Sequence, residues 1–247
     1  PFHDDREPRL VITPDKNLWH CLGACQAGGT AIDWVMRAEG VSFRHAVELL
    51  RGGAALAASP REGPPPKHST VRKMEALAPR EADDAELLGR VADIYHAALK
   101  ESPEALDYLK SRGLVHAEVI ERFRLGYANR TLGYRLPHKN RKEGAELRGR
   151  LAELGVYRKE SGHEHLSGSL VVPLFDERGR VVGMYGRKVQ EHLREGTPLH
   201  LYLPGPHRGV FNREGIAASG GEVIVCEAIL DALTFWCAGF RNVTTAY

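Results

Sequence analysis

The 247-residue chain is poor in cysteine, methionine and tryptophan, with four, three and three of them. Four cysteines are too few for the disulfide framework of a small secreted domain, and their clustering points to a reducing compartment, the cytoplasm by default. Net charge is almost absent: 34 Lys and Arg face 32 Asp and Glu, a formal +2. A nucleic-acid partner must therefore be argued from where the charge lies and not from its sum. No apolar run approaches the roughly 18 residues needed to cross a bilayer. The opening Pro1-Phe2-His3-Asp4-Asp5 lacks the basic and apolar regions of a signal peptide. No internal repeat is visible. What is present, 43% hydrophobic and 27% charged residues, is ordinary for a globular protein, and the length suffices for one large or two modest domains.

Residues 1–52 read as a small compact domain. Leu10-Val11-Ile12 and Leu18-Trp19-His20 are short strands joined by the turn formers Pro14-Asp15-Lys16-Asn17. Gly28-Gly29 breaks the chain before a helix with Ile32, Val35 and Met36 on one face, and Ser42 caps a second helix carrying Val47 and Leu50. Residues 53–83, with Gly52-Gly53-Ala54-Ala55, Pro60 and Pro64-Pro65-Pro66, read as a linker. Helical periodicity returns from Ala85, with Leu88, Val91, Ile94 and Tyr95 on one face, and again at Ala105, Tyr108 and Leu109. After Gly133 the signal shifts toward strands. Ser169–Phe175 and Val181–Tyr185 form a hairpin around Asp176-Glu177-Arg178-Gly179. Glu222–Cys226 is a continuous apolar strand of the kind buried on both faces of a sheet, followed by a helix over Ala228–Ala238 and a strand over Asn242–Ala246. That order is a βαβ unit, the start of a parallel sheet.

Cys21 and Cys25 frame a three-residue loop directly after a strand, and His3 lies upstream. Structural zinc takes four sulfur or nitrogen ligands, commonly paired across a hairpin. Three are visible here. The fourth lies outside the chain or is a neighbour such as His20; two free buried thiols are the competing reading.

Pro1-Phe2-His3 together with Trp19-His20-Cys21-Leu22-Gly23-Ala24-Cys25-Gln26-Ala27-Gly28-Gly29 resembles the zinc ribbon at the front of bacterial DnaG-type primases. The resemblance implies zinc ligation by His3, Cys21 and Cys25, a first cysteine immediately before Pro1, and His20 as a non-ligand neighbour. The three-residue gap between the cysteines departs from the commoner two. Further along, Ala105–Leu114 is similar to the family's Ala-x-x-Tyr-Leu-x-x-Arg-Gly-Leu segment, and Phe123–Ala128 to its Phe-x-Leu-Gly-Tyr-Ala. Val171–Asp176, Gly179–Gly183 and Gly186-Arg187 resemble the hairpin of the polymerase domain's N-terminal lobe, followed by Tyr202-Leu203-Pro204 and Val210-Phe211-Asn212. Val225–Leu233 resembles the opening of a toprim fold, with Ala228 where the family usually has glycine.

The fold class implied is α+β and multidomain: a zinc ribbon (1–52), the linker (53–83), a mixed α+β lobe (84–217) and the start of an α/β toprim parallel sheet (218–247). The activity implied is template-directed synthesis of short RNA primers on single-stranded DNA from ribonucleoside triphosphates. A replicative helicase would be fused or recruited. Catalytic magnesium or manganese calls for carboxylates, and Glu227, at the carboxyl end of a parallel strand, and Asp231, four residues on, are the candidates. For Asp231 the alternative is a helix-start residue favoured by the macrodipole. The family's other metal ligands form an Asp-x-Asp pair on a later strand, so the chain is expected to end before the catalytic site is complete and to be inactive by itself. For DNA and nucleotide binding, residues 122–160 hold eleven Lys or Arg against four Glu, interleaved with Tyr127, Tyr134 and Tyr157. Arg141 and Lys142 come from this stretch; Arg187, at the Gly-Arg of the family's basic ridge, Lys188 and Arg208 lie beyond it. Leu201 and Ser169 replace a lysine and an arginine of the family. Two other readings are a zinc and toprim DNA-binding protein of a mobile element that has lost polymerase activity, and a toprim nuclease or topoisomerase. The 122–213 lobe argues against the latter.

Overall fold

The computed structural model describes residues 2–52, 77, 83–114, 116–190 and 192–246. Apart from Leu77 and Asp83, the expected linker lies outside the described residues. The chain divides into two compact units, Pro1–Leu77 with Asn129–Arg148, and Ala78–Ala128 with Gly149–Tyr247. The architecture is mixed α+β.

In the first unit, β1 (Leu10–Thr13), β2 (Leu18–Cys21) and β3 (Gly28–Thr30) form an antiparallel sheet in that order. The strand β3 was not expected, since its two glycines read as a break. Their role is close approach: a Cβ on Gly28 would sit 2.5 Å from His20 Nδ1 and 2.9 Å from the Trp19 carbonyl oxygen, so only glycine fits against β2 here. Helix α1 (Ala31–Glu39) starts at Thr30, which forms a capping box with Asp33, and α2 (Phe43–Gly52) at Ser42, whose Oγ accepts from the His45 N–H at 3.1 Å. Val35, Met36, Val41 and Ala46 make the core. Phe2, Trp19 and Trp34 pack as a triad with centroids 4.7–5.1 Å apart.

The second unit opens with α3 (Asp84–Lys100), α4 (Pro103–Ser111) and α5 (Ala117–Arg122), then β4 (Gly126–Tyr127). Leu88, Val91 and Tyr95 are buried on α3 as their spacing required. Between β4 and the next strand the chain forms a helix, α6 (Lys142–Glu153), where strands were expected; its residues up to Arg148 are counted with the first unit and those from Gly149 with the second. Its apolar signal is thin: Leu147 and Leu151 are its buried leucines, one turn apart. The strands β5 (Ser169–Phe175), β6 (Val181–Lys188) and β7 (His200–Tyr202) complete an antiparallel sheet ordered β4-β5-β6-β7. The β5–β6 turn is held by Asp176 Oδ1, which accepts from the N–H groups of Arg178 and Arg180 at 2.8 and 2.9 Å, with Gly179 at φ +72°. After α7 (Arg213–Ala217), β8 (Ile224–Cys226), α8 (Ile229–Cys237) and β9 (Val243–Thr245) form the expected βαβ unit, its strands parallel. The strand β8 is shorter than its apolar run, and Val225 is 61% exposed: one face of this two-stranded sheet is not covered by the described residues. Its other face belongs to one core that joins Leu170, Val172 and Tyr185 to Ile229, Leu233 and Trp236.

Candidate metal centre and nucleic-acid interface

The strand β2 alternates exposed and buried side chains, and delivers Cys21 to its buried face while His20 points the other way. The chain then closes a tight knuckle: Cys21 N–H donates to the Ala27 carbonyl at 2.7 Å, and Gln26 N–H to that of Gly23 at 3.2 Å. Gly23 N–H donates to the Cys21 sulfur at 3.4 Å. A Cβ on Gly23 would lie 2.3 Å from Asp5 Oδ2 and 2.7 Å from His3 Cε1, so glycine lets the N-terminal segment reach the knuckle. The outcome is a cluster: donor atoms of His3, Cys21 and Cys25 lie within 4.8 Å of one another. Two sulfurs and an imidazole nitrogen at this separation fit a tetrahedral zinc ion and leave one position for a fourth ligand. His20 is not among the group, as the strand alternation requires.

In the second unit, Arg187 on β6 lies directly opposite His200 on β7. Its Nε donates to Tyr108 Oη at 3.3 Å, and its Nη1 approaches His200 Nε2 at 2.5 Å. The other ring nitrogen of His200, Nδ1, is 2.7 Å from Tyr185 Oη. Burial lowers the proton affinity of His200, and the Arg187 charge lowers it further, while Asp231 opposes both. Burial also drives the Tyr185 hydroxyl well above its usual value, with Tyr202, Tyr108 and Asp231 acting in the same sense and Arg187 opposing them. Asp231, on the first turn of α8, thus acts on the same network as Arg187. Glu227 follows β8 and is exposed; its carbonyl accepts from Thr245 Oγ1 at 3.4 Å. Neither Glu227 nor Asp231 belongs to a cluster of three potential metal donors among the described residues.

The remaining cations divide between the units. Lys188 Nζ is tied back to the Ser167 carbonyl. Arg208 borders a cavity of about 180 Å³ lined by Leu174, Met184, Tyr202 and Pro204. Arg141 belongs to the first unit, where it donates to the carbonyl of Ala24 in the knuckle at 2.6 Å, and Lys142 is an exposed residue 3.9 Å from Glu146. Much of the basic stretch is engaged locally. Arg122 pairs with Glu214, Arg124 with Asp93, Arg150 with Asp84 and Lys159 with Glu153, while Arg148 donates to the carbonyls of Pro137, Gly144 and Gly133. Arg187 has no acidic partner among the described residues.

Residues 1–62 match the family described as CHC2 zinc finger, and residues 94–215 the one described as DNA primase catalytic core, N-terminal domain. The chain belongs to the bacterial DnaG-type primase family. DNA primase from Pseudomonas aeruginosa is 30% identical over 98% of this DnaG-type chain and 37% of its own length, and that from Aquifex aeolicus 29% identical over 98% and 46%. The chain thus spans less than half of these curated relatives. The crystal structure of the Aquifex aeolicus primase, comprising zinc binding and RNA polymerase domains, aligns with 99% of the chain and 58% of that structure at a TM-score of 0.55 and 27% identity. A DnaG primase catalytic domain bound to single-stranded DNA shares the fold over 66% of this chain and 55% of its own, with a TM-score of 0.54 and 24% identity.

His200, with its contacts to Arg187 and Tyr185, did not stand out in the sequence. The available signal was the β-strand period: Tyr185 and Arg187 on β6, and His200 and Tyr202 on β7, each two residues apart, share one face.

Proposed function

We propose that this chain is the zinc-ribbon and N-terminal polymerase part of a DNA primase, which makes short RNA primers on single-stranded DNA. The observation that carries the reading is order: zinc-finger and primase-core matches follow one another in a single chain that aligns over 98% of its length with DNA primases. His3, Cys21 and Cys25 are the zinc ligands, and the ribbon helps to engage template. Arg187 binds the phosphates of template or nucleotide; Lys188 and Arg208 flank it, and Arg141 and Lys142 serve the ribbon's side. Ribonucleoside triphosphates are the substrates and a replicative helicase the partner, in the cytoplasm. No described helix is long and apolar enough to cross a membrane.

Glu227 and Asp231 open a toprim domain and are the carboxylates directed at magnesium or manganese. The metal would stabilise negative charge developing on the transferred phosphate. The exposed position of both acids suits such a role, and what the protein contributes is fixed placement. Asp231 sits on a helix whose Ile229, Leu230, Ala232 and Leu233 are buried, and Glu227 follows a hydrogen-bonded strand. Among the described residues the two form no cluster with a third potential metal donor, so on this reading further ligands complete the metal site. The test is incorporation of labelled ribonucleotides on single-stranded DNA by the whole protein containing this chain. DNA binding without any incorporation would favour the lapsed mobile-element protein instead.

A further inference from the structure

The Arg187–His200 contact fixes more than a distance. A guanidinium carries only N–H donors and cannot accept. His200 Nε2, 2.5 Å from Arg187 Nη1, must therefore be the unprotonated, accepting nitrogen. A neutral imidazole then holds its single proton on Nδ1, where it donates to Tyr185 Oη at 2.7 Å. Tyr185 is 1% exposed and anchored in the core, so the ring is oriented by a rigid partner. Arg187 is held at two points, Nη1 by His200 and Nε by Tyr108 of α4. Its Nη2 has no hydrogen-bond partner among the described residues.

We propose that His200 is a positioning residue that holds the Arg187 guanidinium by its neutral Nε2, so that Nη2 is presented to a phosphodiester oxygen of single-stranded DNA. This rests on reading Arg187 as a template contact. A long arginine side chain gives up considerable rotamer freedom when it binds a phosphate, and an arginine already fixed at two nitrogens loses less on binding. His200 itself stays neutral beside Arg187. Burial and Arg187 both disfavour its protonation, with Asp231 opposing, and a second cation there would remove the acceptor that Arg187 uses.

The test is binding of a fluorescent oligodeoxythymidylate to the whole protein containing this chain, across a salt series, with H200F, H200Q, R187A and the double variant H200F/R187A. H200F removes the acceptor and should weaken binding on the order of fivefold, about as much as R187A. The double variant should add little to either single change. H200Q, whose amide can accept from Arg187 and donate to Tyr185, should recover affinity to within about twofold. The imidazole nitrogen shifts of His200 at neutral pH should show the proton on Nδ1. Normal binding by H200F while R187A is weakened would overturn the positioning role and leave the primase reading intact. Normal binding by R187A would overturn both the arginine's role and the histidine's. An H200Q protein that melts like the parent but binds no better than H200F would also overturn it. Absence of single-stranded DNA binding by the parent protein would instead count against the primase reading.

Discussion

The Nε2 of His3 lies 3.0 Å from the Sγ of Cys21, across eighteen residues of sequence. Strand β2 fixes the sulfur and the Phe2–Trp19–Trp34 triad fixes the segment that carries the histidine. Nothing about His3 alone would bring it there. The contact is made by aromatic packing next to it and by a glycine opposite it.

This geometry predicts metal. The protein should carry zinc at about one equivalent per chain, and Cys21→Ser or His3→Ala should lose it. Loss should lower the thermal stability of the ribbon unit, because metal-binding energy is folding energy in such small domains. Elemental analysis alongside calorimetry checks this; full stability without zinc would contradict it.

Close approach predicts a sharp contrast between two glycines. A Cβ on Gly126 of β4 would sit 2.7 Å from Tyr95 Cβ and 2.8 Å from the Tyr95 backbone carbon of α3, neither of which can swing aside. Gly126→Ala should therefore cost about 1–3 kcal/mol. Gly149, inside α6, meets nothing within 4 Å, and Gly149→Ala should gain about 0.5–1 kcal/mol from helix propensity. Denaturant midpoints of the two variants measure the contrast.

The same contacts explain how far the sequence could be read. The two antiparallel strands of the ribbon, the α3 face, the β5–β6 hairpin and the parallel βαβ unit all follow from periodicity and turn residues, because in each a single pattern coincides with what is buried. The strand β3 was hidden because its residues, Gly28 and Gly29, are chosen for the room they leave and not for strand propensity. The helix α6 was hidden because its two glycines and many charges leave only Leu147 and Leu151 to mark a face. The cluster of His3, Cys21 and Cys25 was legible from residue type. His200 was not, since its meaning depends on a cross-strand partner. The basic stretch at 122–160 read as one surface, whereas in three dimensions many of its cations pair with nearby acids such as Glu214, Asp93 and Asp84.

Acid should destabilise the fold early. His165 donates from Nε2 to the Tyr202 carbonyl at 2.9 Å. Burial chiefly lowers its proton affinity, with Arg158 and Lys188 adding to the effect against that carbonyl. Burial and Arg187 do the same to His200. Each is therefore easier to protonate unfolded, at a value near 6.5, than folded. Their contribution is complete above that value and is lost as pH falls below it toward the folded values. Unfolding free energy should be nearly flat from about pH 8 to 7 and should decline through pH 6 and 5. Denaturation curves across that range would contradict this by showing stability that rises on acidification.

Arg187→Ala should weaken single-stranded DNA binding similarly for all sequences, and should reduce the slope of log affinity against log salt by about 0.7, the value for one contact to a single strand. Lys142→Ala, removing an exposed residue beside Glu146, should alter both quantities less. Titrations at several salt concentrations separate the two. An unchanged slope for Arg187→Ala would make it a framework arginine held by Tyr108 and His200.

The most direct measurement is ribonucleotide incorporation on single-stranded DNA by the whole protein, comparing the parent with Glu227→Gln. The substitution preserves size and removes the charge of an exposed side chain beyond β8, so folding and DNA binding should be retained. The account predicts primer synthesis by the parent and its loss, by about a hundredfold or more, in the variant. A variant that synthesises primers at the parent's rate would place the catalytic carboxylate elsewhere and contradict the account.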